Sequence, residues 1–234
     1  MSPIAIIHTP FIEKFAIPRQ PQLASAAIGR IELLPPFNDP LALAGLEQVS
    51  HIWLLFKFHA VSQDDSQPPR LRVRPPRLGG NEKIGVFASR STHRPNGMGM
   101  SVVKLEKIEG TCLYVSGVDL LDGTPILDIK PYVPYADSIT SATNGLAEDA
   151  PPLIGVSWDE NALELAQQHG VRLEADVVAL IEQCLAQDPK PAYQTPTAER
   201  VYGVRLWDLN VRWCYPSPSA IKVLRIDVDS DLPD

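Results

Sequence analysis

Short apolar stretches, broken at close intervals by proline, glycine and charge, fill the chain from its start to about residue 140. Residues 4–11 form one such run, closed around Pro10, and residues 26–34 form another, bounded by Pro35 and Pro36. Residues 51–59 are rich in aromatic and branched side chains, as a buried strand is. Leu71 and Val73 alternate with Arg70, Arg72 and Arg74, which predicts a strand with one apolar and one cationic face. Val103 and Leu105 alternate with Lys104 and Glu106. After a turn at Glu109-Gly110, Leu113 and Val115 alternate with Tyr114 and Ser116. Asp122-Gly123 reads as a hairpin turn, since both residue types tolerate positive φ, and beyond it Leu127 and Ile129 alternate with Asp128 and Lys130. Strands in such close succession predict a barrel or sandwich. No βαβ rhythm appears and no GxGxxG follows a first strand, which excludes a Rossmann domain.

The period changes after Ser138. Residues 140–152 are small, polar and proline-ended, as a linker or long loop is. A helix is predicted over 160–169, capped by Ser157 or Asp159 and ended by Gly170. A second is predicted over 174–187, with Val177, Leu180, Ile181, Cys184 and Leu185 on one face and Asp188-Pro189 as the stop. Two strands follow, over 201–213 and 221–228. The expected fold class is therefore mainly β, with an N-terminal β-barrel domain over 1–140 and a small α+β C-terminal domain over 153–234.

Composition adjusts this picture in two places. The 23 prolines among 234 residues favour short strands and loops over long helices. The net charge of −7 argues against a nonspecific nucleic-acid binder, yet it conceals a local bias. Between residues 70 and 94 the cations are Arg70, Arg72, Arg74, Arg77, Lys83, Arg90 and Arg94, and the acid is Glu82 alone. Cys112, Cys184 and Cys214 are too dispersed for a zinc site and read as thiols in a reducing compartment. The start lacks the features of a signal peptide, and the most apolar run, 52–58, is too short to span a bilayer and contains Lys57. A soluble, cytoplasmic protein without membrane or metal is expected.

Two stretches carry most of the candidate chemistry. Residues 84–101, IGVFASRSTHRPNGMGMS, run from a strand into a loop crowded with hydrogen-bond donors beside Gly97 and Gly99, a cradle for a polar ligand or phosphate. Residues 118–137, VDLLDGTPILDIKPYVPYAD, hold the carboxylates Asp119, Asp122, Asp128 and Asp137. Asp122 is explained by its turn, and Asp128 with Lys130 by a surface ion pair of little energetic value.

These stretches, with PRQ at 18–20 and HIWLLFKFH at 51–59, closely resemble the bacterial and archaeal tRNA methyltransferases that methylate threonylcarbamoyladenosine at N6. DPKPAY at 188–193 and residues 202–213 resemble the longer bacterial members. The resemblance implies a β-barrel methyltransferase domain followed by a small C-terminal domain with tRNA docking as its expected role. It further implies a homodimer, S-adenosylmethionine as methyl donor, and adenosine 37 in the anticodon loop of threonine tRNA as acceptor. By matching motifs, the donor site draws on Pro18, Arg19, Gln20, His59, Ala60, Arg90, Leu120, Leu127, Asp128, Ile129 and Lys130.

Methyl transfer from a sulfonium needs no metal, and holding the reactants in line lowers the barrier by roughly 7–11 kcal/mol at best. The accepting nitrogen carries a carbamoyl group that withdraws its lone pair, so proton removal during attack helps; His59, His93 and Asp128 are the candidate bases. Arg70, Arg72, Arg74, Arg77, Arg94 and Asn96 are the candidate tRNA contacts. Tyr132 and Tyr135 offer faces for an unstacked base, with strand packing as the simpler role. Two alternatives stay open: a methyltransferase of this fold with another RNA or small-molecule acceptor, and a non-catalytic module that binds the donor or RNA.

Overall fold

The computed structural model describes residues 1–61, 71–74, 83–190, 194–197 and 199–229. Its strands are β1 (Ala5–His8), β2 (Ile28–Leu33), β3 (His51–Lys57), β4 (Arg72–Val73), β5 (Ile84–Gly85), β6 (Met98–Glu109), β7 (Cys112–Ser116) and β8 (Thr124–Pro131), followed by the short helix α1 (Pro134–Asp137). Then come β9 (Gly155–Trp158), α2 (Glu160–Leu173), α3 (Val177–Leu185), β10 (Tyr202–Leu206), β11 (Leu209–Ser217) and β12 (Ala220–Val228).

Six strands close into a barrel in the order β1-β2-β7-β6-β3-β8, and every neighbouring pair is antiparallel. Closure satisfies the backbone of both would-be edges. Alternate side chains point inward, so Ile7, Ile31, Ile52, Leu54, Val103, Leu113, Val115 and Ile126 are fully buried. Two bulges bend the strands enough to close: one residue, Leu127, is extra opposite Leu55 and Phe56, and Glu106 is extra opposite β7. The simple alternation expected of Leu127 and Ile129 fails at the first of these.

The Asp122-Gly123 pair corrects the sequence reading. β7 and β8 are not neighbours in the barrel, so no hairpin joins them. Gly123 does take positive φ (72°), but its N–H donates to Ile7 O at 3.0 Å and that of Asp122 to Phe11 O at 2.7 Å. The turn docks on β1 and its continuation. β4 and β5 form a two-stranded ribbon apart from the barrel. Leu71, assigned to an apolar face, is exposed, because a two-stranded ribbon has no sheet to pack on. Residues 139–150 are exposed and carry no helix or strand, as a linker predicts.

The second sheet has the order β10-β11-β12-β9, with β9 parallel to β12. Ser157, one of the two candidate caps of α2, lies within β9 instead and donates its hydroxyl to Ile221 O. Asp159 does cap α2, accepting from Asn161 N. Gly170, expected to end this helix, lies inside it. The end comes at Glu174 in the left-handed conformation, and a Cβ on Gly170 would meet Ala175 O at 3.0 Å. The glycine is there for close approach, not for the stop. α3 therefore starts at Val177 behind Asp176, later than predicted, and buries the predicted face. The single strand expected over 201–213 is a hairpin, because Trp207 takes φ 50° and Leu206 pairs with Leu209. Cys184 is buried, and burial pushes its thiol up to about 12, as an inert core thiol requires. No helix among the described residues is long and apolar enough to cross a membrane.

Barrel and second sheet share one hydrophobic core. The connection from β1 to β2 is the seam. Phe11 bridges Leu206, Trp207 N–H donates to Pro10 O at 2.8 Å, and Arg205 N–H donates to Glu13 Oε1 at 2.9 Å. At its far end, Gln183 Oε1 accepts from Ala26 N–H at 2.9 Å. Replacing Gln183 by Leu leaves that half-buried N–H unpaired and is expected to cost about 1–2 kcal/mol in urea unfolding.

Candidate functional site

Strand direction alternates around the barrel, so β1, β3 and β7 end where β2, β6 and β8 begin. Three connections, 9–27, 58–97 and 117–123, consequently leave from one end. A cavity of about 750 Å³ opens there. The first connection contributes Lys14 and the run from Ile17 to Pro21; the second, Phe58 to Val61 with Ser89, Arg90, Thr92 and Arg94; the third, Asp119 to Leu121. Trp53, Leu55 and Phe56 of β3, Met98 to Val102 of β6, and Thr124 complete the wall. A volume of this order, with apolar walls and a few convergent polar groups, suits a nucleoside-sized ligand.

The three connections are fastened to one another. Arg90 Nη1 donates to Gln20 Oε1 at 2.5 Å, which joins the SRSTHR loop to the PRQ segment. Lys14 Nζ donates to Ala60 O. Gln22 N–H donates to Gly117 O at 2.9 Å, and Gly117 N–H to Ala27 O at 3.0 Å. Gly117 is required: its φ is 73°, and a Cβ would sit 2.6 Å from Gln22 Oε1. Thr9 Oγ1 donates to Leu120 O at 2.9 Å and Thr9 N–H to Asp122 Oδ1 at 2.8 Å, which pins the third connection to β1. Gly99 is required for space, since a Cβ would lie 2.3 Å from the buried Phe56 ring and 2.8 Å from Phe58.

Charge in the cavity is lopsided. Lys14, Arg19, His59, Arg90 and Arg94 line it, and among the described lining residues the one acid is Asp119. Ser101 Oγ donates to Asp119 Oδ1 at 2.7 Å. The Asp119 carboxyl is raised to about 6. Burial is the main cause, offset in part by the Ser101 hydroxyl, the residue's own backbone N–H and the charge on Arg90.

Of the residues expected to hold the donor, Pro18, Arg19, Gln20, His59, Ala60, Arg90 and Leu120 line this cavity. Leu127, Asp128, Ile129 and Lys130 do not. They lie on β8 beside it, where Asp128 pairs through its backbone with Leu55 and through its carboxylate with Lys130 Nζ at 3.0 Å, the surface ion pair anticipated. Among the candidate bases only His59 reaches the cavity, 3.4 Å from Thr124 Oγ1; His93 is exposed on the loop.

Arg94 lines the cavity while Nη1 donates to Ser89 O at 2.9 Å, so it braces its own loop. Arg72 and Arg74 are exposed on the ribbon leading into that loop, Arg72 donating to Lys83 O, and Asn96 is exposed on the following turn. Arg70 and Arg77 lie outside the described residues. Tyr132 packs against Trp53, with ring centroids 5.8 Å apart, whereas Tyr135 is exposed. Sequence reasoning gave no role to Asp119, Ser101 or Lys14. For Asp119 a signal was present: it is a lone acid between Val118 and Leu120 in a run otherwise apolar.

Residues 6–138 match the family model described as tRNA-methyltransferase O N-terminal domain, and residues 151–229 match the TrmO C-terminal domain. The chain is 62% identical over 226 residues to a putative S-adenosylmethionine-dependent methyltransferase RcsF of Pseudomonas aeruginosa, covering 97% of this chain and 96% of that protein. It is 42% identical over 225 residues to the tRNA (adenine(37)-N6)-methyltransferase of Escherichia coli, covering 90% of each. A crystal structure of TrmO from Pseudomonas aeruginosa superposes with a TM-score of 0.82 at 55% identity, covering 97% of both chains.

Asp119 makes the site costly at neutral pH. Its carboxyl ionises near 3.8 when unfolded and near 6 when folded, so opposition to folding sets in as pH rises above 3.8 and is complete above about 6. Replacing Asp119 by Asn is expected to stabilise the protein at pH 7.5, by something of the order of 2 kcal/mol. The gain should vanish as pH falls to 4, and paired urea titrations at the two pH values check this.

Proposed function

The chain belongs to the tRNA-methyltransferase O family of S-adenosylmethionine-dependent enzymes, and we propose that it methylates N6 of threonylcarbamoyladenosine at position 37 of threonine tRNA. Methylation at N6 of adenine 37 in tRNA is the activity for which its relatives are named. The threonylcarbamoyl group, the threonine tRNA and the anticodon loop as docking element are the finer parts of the reading. The observation that carries it is the basic cavity at one barrel end, fastened from three connections and holding one acid among the described residues.

S-adenosylmethionine, when bound, supplies a methyl group that is already activated, so the chain's task is to hold and orient. Its carboxylate suits a guanidinium, and Arg19 and Arg90 are the arginines next to the PRQ segment. Arg90 is partly committed to Gln20, which fixes its direction. Ile17, Phe58 and Leu121 offer apolar surface to a nucleoside and keep water from it. Arg94 lines the cavity and Arg72, Arg74 and Asn96 are exposed; these are the side chains offered to an RNA backbone.

A homodimer in the cytoplasm belongs to the same proposal. Phe87, Met100 and Ile139 expose apolar surface that a second copy would cover. So does the division of the chain into a catalytic unit over 1–140 and a docking unit over 153–234. In the second unit Arg205, Arg212, Lys222 and Arg225 each face a carboxylate, so docking there would rest on shape more than on free charge.

The test uses the full chain, labelled S-adenosylmethionine and two threonine tRNAs, with and without the threonylcarbamoyl group. Nucleoside mass spectrometry is expected to find a new methyl on the modified adenosine alone. Equal transfer to both tRNAs would remove the threonylcarbamoyl requirement. No transfer to either, with the donor still bound, would point to another acceptor or to a non-catalytic module. Separately, Arg90→Ala should weaken donor binding roughly 10- to 100-fold in calorimetry, and unchanged affinity would take Arg90 out of the site.

A further inference from the structure

The transfer proposed above leaves a proton to be placed, and the residues first considered for it are poorly located. Asp128 is on the outer face of β8, paired with Lys130, and His93 is outside the cavity wall. His59 reaches the cavity but is exposed. Asp119 differs from all three. It sits between Val118 and Leu120, both buried, and its loop is held by Gln22 N–H on Gly117 O and Thr9 Oγ1 on Leu120 O. Its carboxylate is fixed from β6 by the buried Ser101 hydroxyl.

We propose that Asp119, held by Ser101, is the general base that accepts the proton of the acceptor nitrogen. As the new N–C bond forms, the N–H bond breaks, its electron pair stays on nitrogen, and the proton passes to an Asp119 carboxylate oxygen. The carbon–sulfur pair remains on sulfur. One positive charge, on the sulfonium, and one negative charge, on the carboxylate, disappear together, so the cavity ends with no new charge inside it. The proton then leaves to water through the open mouth.

A base in this place must be ionised in the resting enzyme yet basic enough to take a proton from a carbamoylated nitrogen. Burial raises the affinity of Asp119 for a proton, to a midpoint of about 6. The Ser101 hydroxyl, the residue's own backbone N–H and the charge on Arg90 favour its ionised form, in a cavity also lined by Arg94 from the second connection, His59 beyond β3, and Lys14 and Arg19 from the first. An acid exposed on the barrel surface would be ionised too, but it would be a weaker base and would not exclude water.

The inference rests on the methyltransferase reading, and its test separates the two. Single-turnover transfer to tRNA bearing threonylcarbamoyladenosine is followed from pH 5 to pH 8.5 with the donor saturating. The unaltered enzyme should lose rate as pH falls through about 6. Asp119→Asn should slow transfer by about 100-fold or more and flatten that limb, with donor affinity in calorimetry unchanged. Ser101→Ala removes a hydrogen bond that favours the ionised form, so its limb should move to higher pH. The same upward movement is expected in the carbon-13 titration of the Asp119 carboxyl, recorded without donor or tRNA.

An acid limb that persists in Asp119→Asn overturns the proposal and transfers the role to His59. A loss confined to donor affinity overturns it equally, making Asp119 a counter-charge. So does a Ser101→Ala profile that does not move. If the unaltered enzyme itself transfers nothing, the functional reading fails first and this inference with it.

Discussion

Antiparallel alternation around a closed ring of six strands is the constraint on which the site depends. Each strand must reverse the direction of its neighbours, so every connection that follows an outgoing strand emerges at the same end. Here those connections are long, 9–27, 58–97 and 117–123, while the other end includes the tight turn at Gly110 between β6 and β7. The chain has no freedom to distribute these loops elsewhere. Residues nearly 100 apart in sequence, Gln22 just past PRQ and Gly117 just before VDLL, are brought into direct hydrogen bonding because β1, β2 and β7 are neighbours. The bulges at Leu127 and Glu106 belong to the same constraint, for they provide the curvature that lets β8 pair with both β1 and β3.

Closure also sets the electrostatics. A ring of strands fills its interior with aliphatic side chains, so any polar group of use must stand in the connections or on the last residues of strands. Asp119 and Ser101 occupy that margin, one a residue past Val118 and the other on β6 opposite Leu54. Burial on one side, and the Ser101 hydroxyl, the residue's own backbone N–H and Arg90 on the other, act on Asp119 in opposite directions. Burial prevails, as the raised pKa records. A barrel selected for stability alone would place Asn or Leu there, and the retained charge is the kind of local inconsistency that functional sites keep.

Much of this was legible in the sequence, and what escaped did so for physical reasons. Period-two alternation marked β6 and β7, because their inner and outer faces meet environments of opposite polarity, while β2 and β3 were marked as apolar runs. Alternation was lost in β8, where a bulge shifts Leu127 out of phase. Asp122-Gly123 has the composition of a hairpin, but composition specifies local φ and not the partner strand, and tertiary pairing assigned the turn to β1. Gly170 and Trp207 were misread for the converse reason: a glycine was kept for close approach and a bulky residue was held at positive φ by contacts from the barrel. At the candidate site, the PRQ and SRSTHR segments singled out by motif line one cavity. The motifs did not single out Asp119: its apolar neighbours Val118 and Leu120 were a signal, but the same stretch contains three other carboxylates, and the Ser101 bond is not visible in sequence.

The second sheet is more than an appendage to the barrel. Its contacts fall repeatedly on the connection that carries Pro18, Arg19 and Gln20: Pro10 and Phe11 meet β10 and its turn, Glu13 meets Arg205, Phe15 stacks on Trp213 at 6.2 Å, and Leu23, Ser25 and Ala26 meet Gln187 and Gln183 of the α3 region. A loop of that length would otherwise sample many conformations, and ordering it on ligand binding would consume much of the binding energy. Fastened on both sides of PRQ by the second sheet and α3, and at Gln20 by Arg90, it is ordered in advance. The C-terminal unit thus acts on the site without lining the cavity among the described residues, by holding in place the connection that carries PRQ.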